Sequence, residues 1–194
     1  MNQNRIKTVT VTAMLSAMAY AAVCLGRVPV VLFLKYDPKD IIIALGGILW
    51  GPAVAFRVSA AVSLLEMVTI SENGVLGCVM NILSTCSFAL PAALLARAGR
   101  SRQRLALGLL AGGLTMVSTM LLWNWLITPY YMGYPREAVA RLLLPAFLPF
   151  NLLKAGLNGV GTLLLCPPVA KALAKTGLLT DRPKEDNYEK TPGA

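Results

Sequence analysis

Residues 142–168 read LLLPAFLPFNLLKAGLNGVGTLLLCPP, an apolar run of membrane length that holds one cation, Lys154, and no carboxylate. Asn151 lies three positions before the lysine and Asn158 four after it, so at helical spacing the three polar groups share one face. A cation within a membrane-length segment costs several kcal/mol unless it meets a partner or a polar cavity. The run therefore reads as a helix of a membrane bundle whose inward face is polar. That face is either a packing device or the wall of a binding site.

The rest of the composition agrees. Of 194 residues, 56% are apolar and 14% charged, against roughly a quarter charged in soluble domains, and the mean hydropathy is +0.63. The class is an all-α polytopic membrane protein. The net charge of +9 clusters between apolar segments, a pattern that suits orientation in a lipid membrane better than nucleic-acid binding. Histidine is absent, which removes the usual metal ligand and the usual near-neutral general base. Cys24, Cys78, Cys86 and Cys166 are dispersed through apolar segments without a CxxC pair, so they read as small buried hydrophobes. No catalytic residue, metal or cofactor is expected.

Six transmembrane segments can be drawn, at 7–25, 39–50, 52–71, 74–96, 105–128 and 145–174. Asp37-Pro38 reads as the cap and first turn of the second, and Gly51-Pro52 as the break before the third. The second is short of the roughly 20 residues a span needs, which predicts that it is tilted or covered by its neighbours. Arg5 and Lys7 ahead of an apolar run imitate a signal peptide. The length of Val9 to Leu25 and the row Ala13, Ala17, Ala21 argue instead for a retained first helix with a small-residue packing face. Residues 1–179 read as one membrane domain, and the polar tail 180–194 as disordered.

Six spans put both termini on one side of the membrane. That side carries Arg5, Lys7, Arg57, Arg97, Arg100, Arg102, Arg104, Lys171, Lys175, Arg182, Lys184 and Lys190, against Arg27, Lys35, Lys39, Arg136 and Arg141 on the other. The positive-inside rule then makes both termini cytoplasmic in a cell-membrane protein.

Four features gather toward the far end of such a bundle. They are the apolar first connection Val28–Asp37, Glu66 late in the third segment, the group Trp123-Asn124-Trp125 with Pro129, Tyr130 and Tyr131, and Asn151 with Lys154. Aromatic faces, amides, one ammonium and one carboxylate suit a flat, neutral ligand with polar edges. Trp123, Tyr130 and Tyr131 equally fit an interfacial aromatic belt. Glu66 fits an ion-pair partner for Lys154 or Arg57, Asn81 an interhelical hydrogen bond, and Lys154 a snorkelling cation. The alanine row fits packing within the bundle or docking to a separate membrane subunit.

The strings Phe33-Leu-Lys-Tyr-Asp37 and Pro149-Phe-Asn-Leu-Leu-Lys154, with Gly51-Pro52 and Asn124, resemble the substrate-binding S components of energy-coupling factor (ECF) transporters, in particular the riboflavin-specific (RibU) type. The resemblance runs over about residues 7–175. It implies a six-transmembrane-helix bundle of the ECF S-component type that binds riboflavin from outside beneath a lid. Leu34, Lys35, Tyr36 and Asp37 would belong to the lid, with Asn124, Asn151 and Lys154 hydrogen-bonding the flavin and Glu66 and Asn81 nearby. Ala13, Ala17 and Ala21 would dock the shared transmembrane subunit, which works with two ATPases. The stretch Leu64–Cys78 departs from the pattern, which is more polar there and includes a histidine. No GxxxxGK[ST] phosphate loop is present, so energy would come from the partner subunits. An S component for another vitamin or precursor is the alternative.

Overall fold

The computed structural model describes residues 3–31, 34–71, 73–98 and 101–176. The expected disordered tail, Phe33 of the lid string and Arg100 lie outside the described residues. The chain runs α1 (Gln3–Gly26), β1 (Val28–Val31), β2 (Leu34–Tyr36), α2 (Lys39–Trp50), α3 (Pro52–Thr69), α4 (Gly74–Ala98), α5 (Arg102–Leu126), α6 (Thr128–Met132), α7 (Arg136–Leu142), a π-helical turn (Leu143–Phe147) and α8 (Leu148–Lys175).

Among the described residues, five stretches are long and apolar enough to cross a membrane: Arg5–Gly26, Pro52–Thr69, Gly74–Arg97, Arg102–Tyr130 and Arg136–Lys175. Helix α2 is the sixth member of the bundle. Its 12 residues rise only about 18 Å, short of a full span, as the length of the second segment in the sequence suggested. It packs against α1, α3, α4 and α8 and buries eight residues, from Lys39 to Ile48. Protein surrounds it where lipid surrounds the others, so it has no membrane thickness to match. Leu25, Val68, Leu114 and Leu144 stand exposed on the outer helices, as suits side chains solvated by lipid tails.

Local sequence explains the boundaries. Gly51 ends α2 and starts α3 at φ 115°, ψ 161°, where a side chain would be strained. Pro52 then sits in the first turn, where its missing N–H costs nothing. Ser101 caps α5, its Oγ accepting from the Arg104 N–H at 3.2 Å. The expected Asp37 cap on α2 does not form: Pro38 is the capping residue, without a side-chain bond, and the Asp37 carboxylate turns to Arg27. The first connection is not a plain loop but an antiparallel hairpin, with Val28 opposite Tyr36, Pro29 opposite Lys35 and Val31 opposite Leu34. The bundle is thus helical with one two-stranded ribbon.

Helices α4 and α5 approach closely from mid-helix toward the end where α1 begins and α8 ends. A Cβ on Gly112 would run into the Phe88 carbonyl, and one on Gly108 would lie 2.9 Å from the Ala92 carbonyl. Phe88, Ala89, Ala92 and Leu109 sit in the main core there. Toward the opposite end the same pair presents Met80, Asn81 and Ser84 against Met120 and Asn124, and a cavity opens between them.

Candidate functional site

The Leu143–Phe147 π turn, which holds Pro145, leads directly into α8. Such a turn accommodates a residue with no N–H to give. From there Phe150, Asn151, Lys154, Asn158, Thr162 and Cys166 form the buried stripe of α8, one face at i, i+3 and i+4 spacing. Lys154 is 6% exposed and does not snorkel. Its ammonium lies 3.0 Å from Oδ2 of Asp40, in the first turn of α2, and donates to Ser84 Oγ at 3.3 Å. Asp40 is fully buried. Its Oδ1 accepts from Thr85 at 2.7 Å and its Oδ2 from Asn158 Nδ2 at 3.2 Å. Asn158 in turn accepts from the Tyr36 hydroxyl at 3.1 Å. One carboxylate thereby joins α2, α4 and α8, with the hairpin attached through Asn158.

A second group sits beside it. Arg27 donates to Asp37 at 2.7 Å and to Glu66 at 2.6 Å. Lys39 pairs with Glu66 and lies 3.9 Å from Asp37. The four side chains close a ring that joins the end of α1, the end of the hairpin, the start of α2 and α3. Asn81 of α4 donates to Glu66 at 3.2 Å. Lys39 and Glu66 are almost wholly buried, where each charge is tolerable only because the other is there. Burial opposes the charged form of Arg27, but its hydrogen bond and charge interaction with Asp37, and then the Glu66 charge, hold its pKa above the usual arginine range. Burial, and then the Asp40 charge, push the Tyr36 phenol above its ordinary value, so it stays a neutral donor.

The cavity beside these two groups has a volume of about 80 Å³. Leu34, Met80, Met120 and Phe150 give it apolar walls, and Asn81, Asn124, Asn151, Lys35 and Lys154 give it polar ones. Asp37, Glu66 and Arg27 also reach it. Most of the residues singled out in the sequence therefore come together around one space. Tyr36 of the lid string does not line it and is bonded to Asn158 instead. Two amides are partly committed to local carbonyls, Asn124 to Met120 at 2.7 Å and Asn151 to Phe147 at 2.7 Å.

Several expectations need correction. Glu66 does not neutralise Lys154 or Arg57: its cations are Arg27 and Lys39, and Lys154 belongs to Asp40. The aromatic group of α5 and α6 does not wall the cavity. Trp123 packs against the main core. Trp125 carries the Arg136 guanidinium 5.6 Å from its ring centre, and Tyr130 is exposed, as in an interfacial belt. The Tyr131 side chain lies outside the described residues. Among the described residues the aromatic that reaches the cavity is Phe150, with Leu34 packed beside it. Ala13, Ala17 and Ala21 are all exposed on α1, so they pack nothing within the bundle. Arg27, Lys39 and Asp40 were missed as site residues. Lys-Asp immediately ahead of Ile41-Ile42-Ile43 was the available signal, since charges entering an apolar helix need partners.

A family model for the ECF transporter substrate-specific component matches residues 7–166. The chain belongs to this family. Substrate-specific components are transport subunits, not enzymes, and work with a shared membrane subunit and ATPases. Among solved structures, the S component of a bacterial ECF transporter superposes with a TM-score of 0.72 at 24% identity, covering 89% of this chain and 99% of that one. ThiT from Listeria monocytogenes superposes at 0.54 and 14% identity, over 91% and 99%. At these identities the likeness concerns the fold. No curated protein matches the chain. In this substrate-specific component the cavity, the ion-pair ring and the hairpin all lie at the end of the bundle opposite the termini.

Proposed function

We propose that this S component binds riboflavin from outside the cell and delivers it with its shared membrane subunit and ATPases. The observation that carries the reading is the convergence of Asn81, Asn124, Asn151 and Lys154 on a cavity otherwise walled by Leu34, Met80, Met120 and Phe150. A flavin ring is flat and apolar on its faces, with carbonyl acceptors and one N–H donor along an edge. Amides both donate and accept, and an ammonium donates. At about 80 Å³ the cavity is well below the roughly 300–1,000 Å³ of a pocket for a ligand of drug size. Binding therefore requires the hairpin to move. The ion-pair ring holds both ends of the hairpin to α2 and α3, so the movement belongs to the cavity-facing Leu34 and Lys35.

The cytoplasmic location of both termini is part of the same proposal. It rests on the Lys and Arg count of the connections, which is higher on the side where α1 begins and α8 ends.

The purified protein should be yellow, quench flavin fluorescence and melt at higher temperature with riboflavin than with other vitamins. Mass spectrometry of the small molecule that copurifies in mild detergent identifies the ligand directly. A colourless protein that riboflavin does not stabilise, but another vitamin does, would assign the site to that vitamin instead.

A further inference from the structure

We propose that Asp40 is a specificity-determining residue, holding Lys154 as a charge-neutral hydrogen-bond donor so that the cavity takes an uncharged ligand in preference to its phosphorylated form. The inference rests on the cavity being the substrate site, and not on the substrate being riboflavin.

The argument starts from what each group has left to give. An ammonium has three N–H donors and a carboxylate has about four acceptor positions. Lys154 directs one donor to Asp40 at 3.0 Å and one to Ser84 at 3.3 Å, which leaves one for the cavity that it lines. Asp40 is fully buried, does not reach the cavity, and accepts from Thr85, Lys154 and Asn158 together. It stands behind the lysine with its charge committed. The other two carboxylates nearby, Asp37 and Glu66, are held by Arg27 and Lys39, so neither draws Lys154 away. A ligand in the cavity thus meets a single directed N–H backed by a compensating negative charge. A carbonyl gains the hydrogen bond. A phosphate gains little net attraction from Lys154, because the Asp40 carboxylate offsets it from directly behind, and the other charges of the wall, Arg27 and Lys35 against Asp37 and Glu66, balance.

The geometry also accounts for Tyr36 and Asn158, which the cavity itself does not use. Tyr36 fixes the orientation of the Asn158 amide, whose N–H then fixes the Asp40 carboxylate. The carboxylate is thereby oriented from three helices or strands before it meets the lysine, so the ammonium has one resting place.

The test measures affinities of the detergent-purified full chain for riboflavin and riboflavin 5′-phosphate, and for pyridoxine and pyridoxine 5′-phosphate, in three proteins. The wild type should prefer the uncharged member of whichever pair binds. Asp40→Asn uncovers the Lys154 charge and should shift that ratio toward the phosphate by roughly tenfold or more. Asp40→Asn/Lys154→Met removes both charges and so avoids the buried unpaired ammonium that could prevent the single variant from folding. It should bind the uncharged ligand several-fold more weakly while keeping the wild-type ratio, because a neutral pair has been replaced by a neutral pair. A double variant that loses the phosphate far more than the uncharged ligand would show Lys154 acting as a counter-ion and overturn the proposal. So would a folded Asp40→Asn protein with the wild-type ratio, a wild type that prefers the phosphate, or a wild type that binds no member of either pair. Binding of the pyridoxine pair alone, with the expected ratios, would sink the riboflavin reading and leave the role of Asp40 standing.

Discussion

The two ends of this bundle are built on opposite rules from the same helices. Toward the termini, Gly108 and Gly112 let α4 and α5 close backbone to backbone over Phe88, Ala89 and Ala92, and dispersion between small groups at short range does the work. At the other end, Met80 and Asn81 face Met120 and Asn124 across a cavity. The helices there are held by charge instead: the Arg27–Asp37–Lys39–Glu66 ring and the Asp40–Lys154 pair. Close packing leaves no room for a ligand. Ion pairs can span a gap, because they bind at points and tolerate space between them. A transport subunit that must stay assembled while one end admits a substrate gains from having both.

If this division holds, the largest effect should come from breaking the charged end. Glu66→Ala leaves Lys39 buried without its partner and should cost about 3–5 kcal/mol, read as a large fall in melting temperature in detergent. The double variant Lys39→Met/Glu66→Leu should recover much of it, and failure to recover would mean that the ring supplies more than charge compensation. At the packed end, Gly112→Ala forces a methyl against the Phe88 carbonyl and should cost about 1–3 kcal/mol of stability. The affinity of the folded fraction for ligand should be unchanged. A loss of affinity there would show the two ends to be coupled.

Smaller effects sharpen the boundary of the site. Asn151→Ala should weaken ligand binding by about 1–3 kcal/mol, since a buried polar edge of the ligand loses its partner, and should also lower the melting temperature of the unliganded protein modestly, because the Phe147 carbonyl loses its side-chain donor. Tyr36→Phe removes only the hydroxyl bond to Asn158 and should lower stability by about 0.5–1.5 kcal/mol. Trp125→Ala, outside the cavity, should leave affinity unaltered in a titration. Any clear loss would return the α5 aromatics to the site.

Much of the site was legible because its residues were expensive where they stood. Lys154, Asn151 and Asn158 in an apolar run are a local signal, and one helical face was enough to bring them inward. Glu66 and Asn81 carried the same kind of signal, yet their partners did not follow from it. Glu66 lies 39 residues from Arg27 and 27 from Lys39 in the chain, and no local period links such positions. The aromatics of α5 misled for a related reason. Trp123, Trp125 and Tyr130 are rich in binding chemistry, but which of them turns inward depends on the rotation of α5, which its packing against α4 and α8 sets.

By itself the sequence determined the membrane class, the helical segments, the break at Gly51-Pro52 and the polar stripe of α8. Those depend on hydropathy, on backbone stereochemistry and on periodicity, all of which act over a few residues. Only the tertiary structure decided that α2 is sheathed by protein rather than tilted, that the first connection is a hairpin, and that five buried charges and the half-buried Arg27 sort into a ring and a pair. Electrostatic partnership is a matter of distance in space, and each buried cation had several candidate carboxylates until the helices were packed.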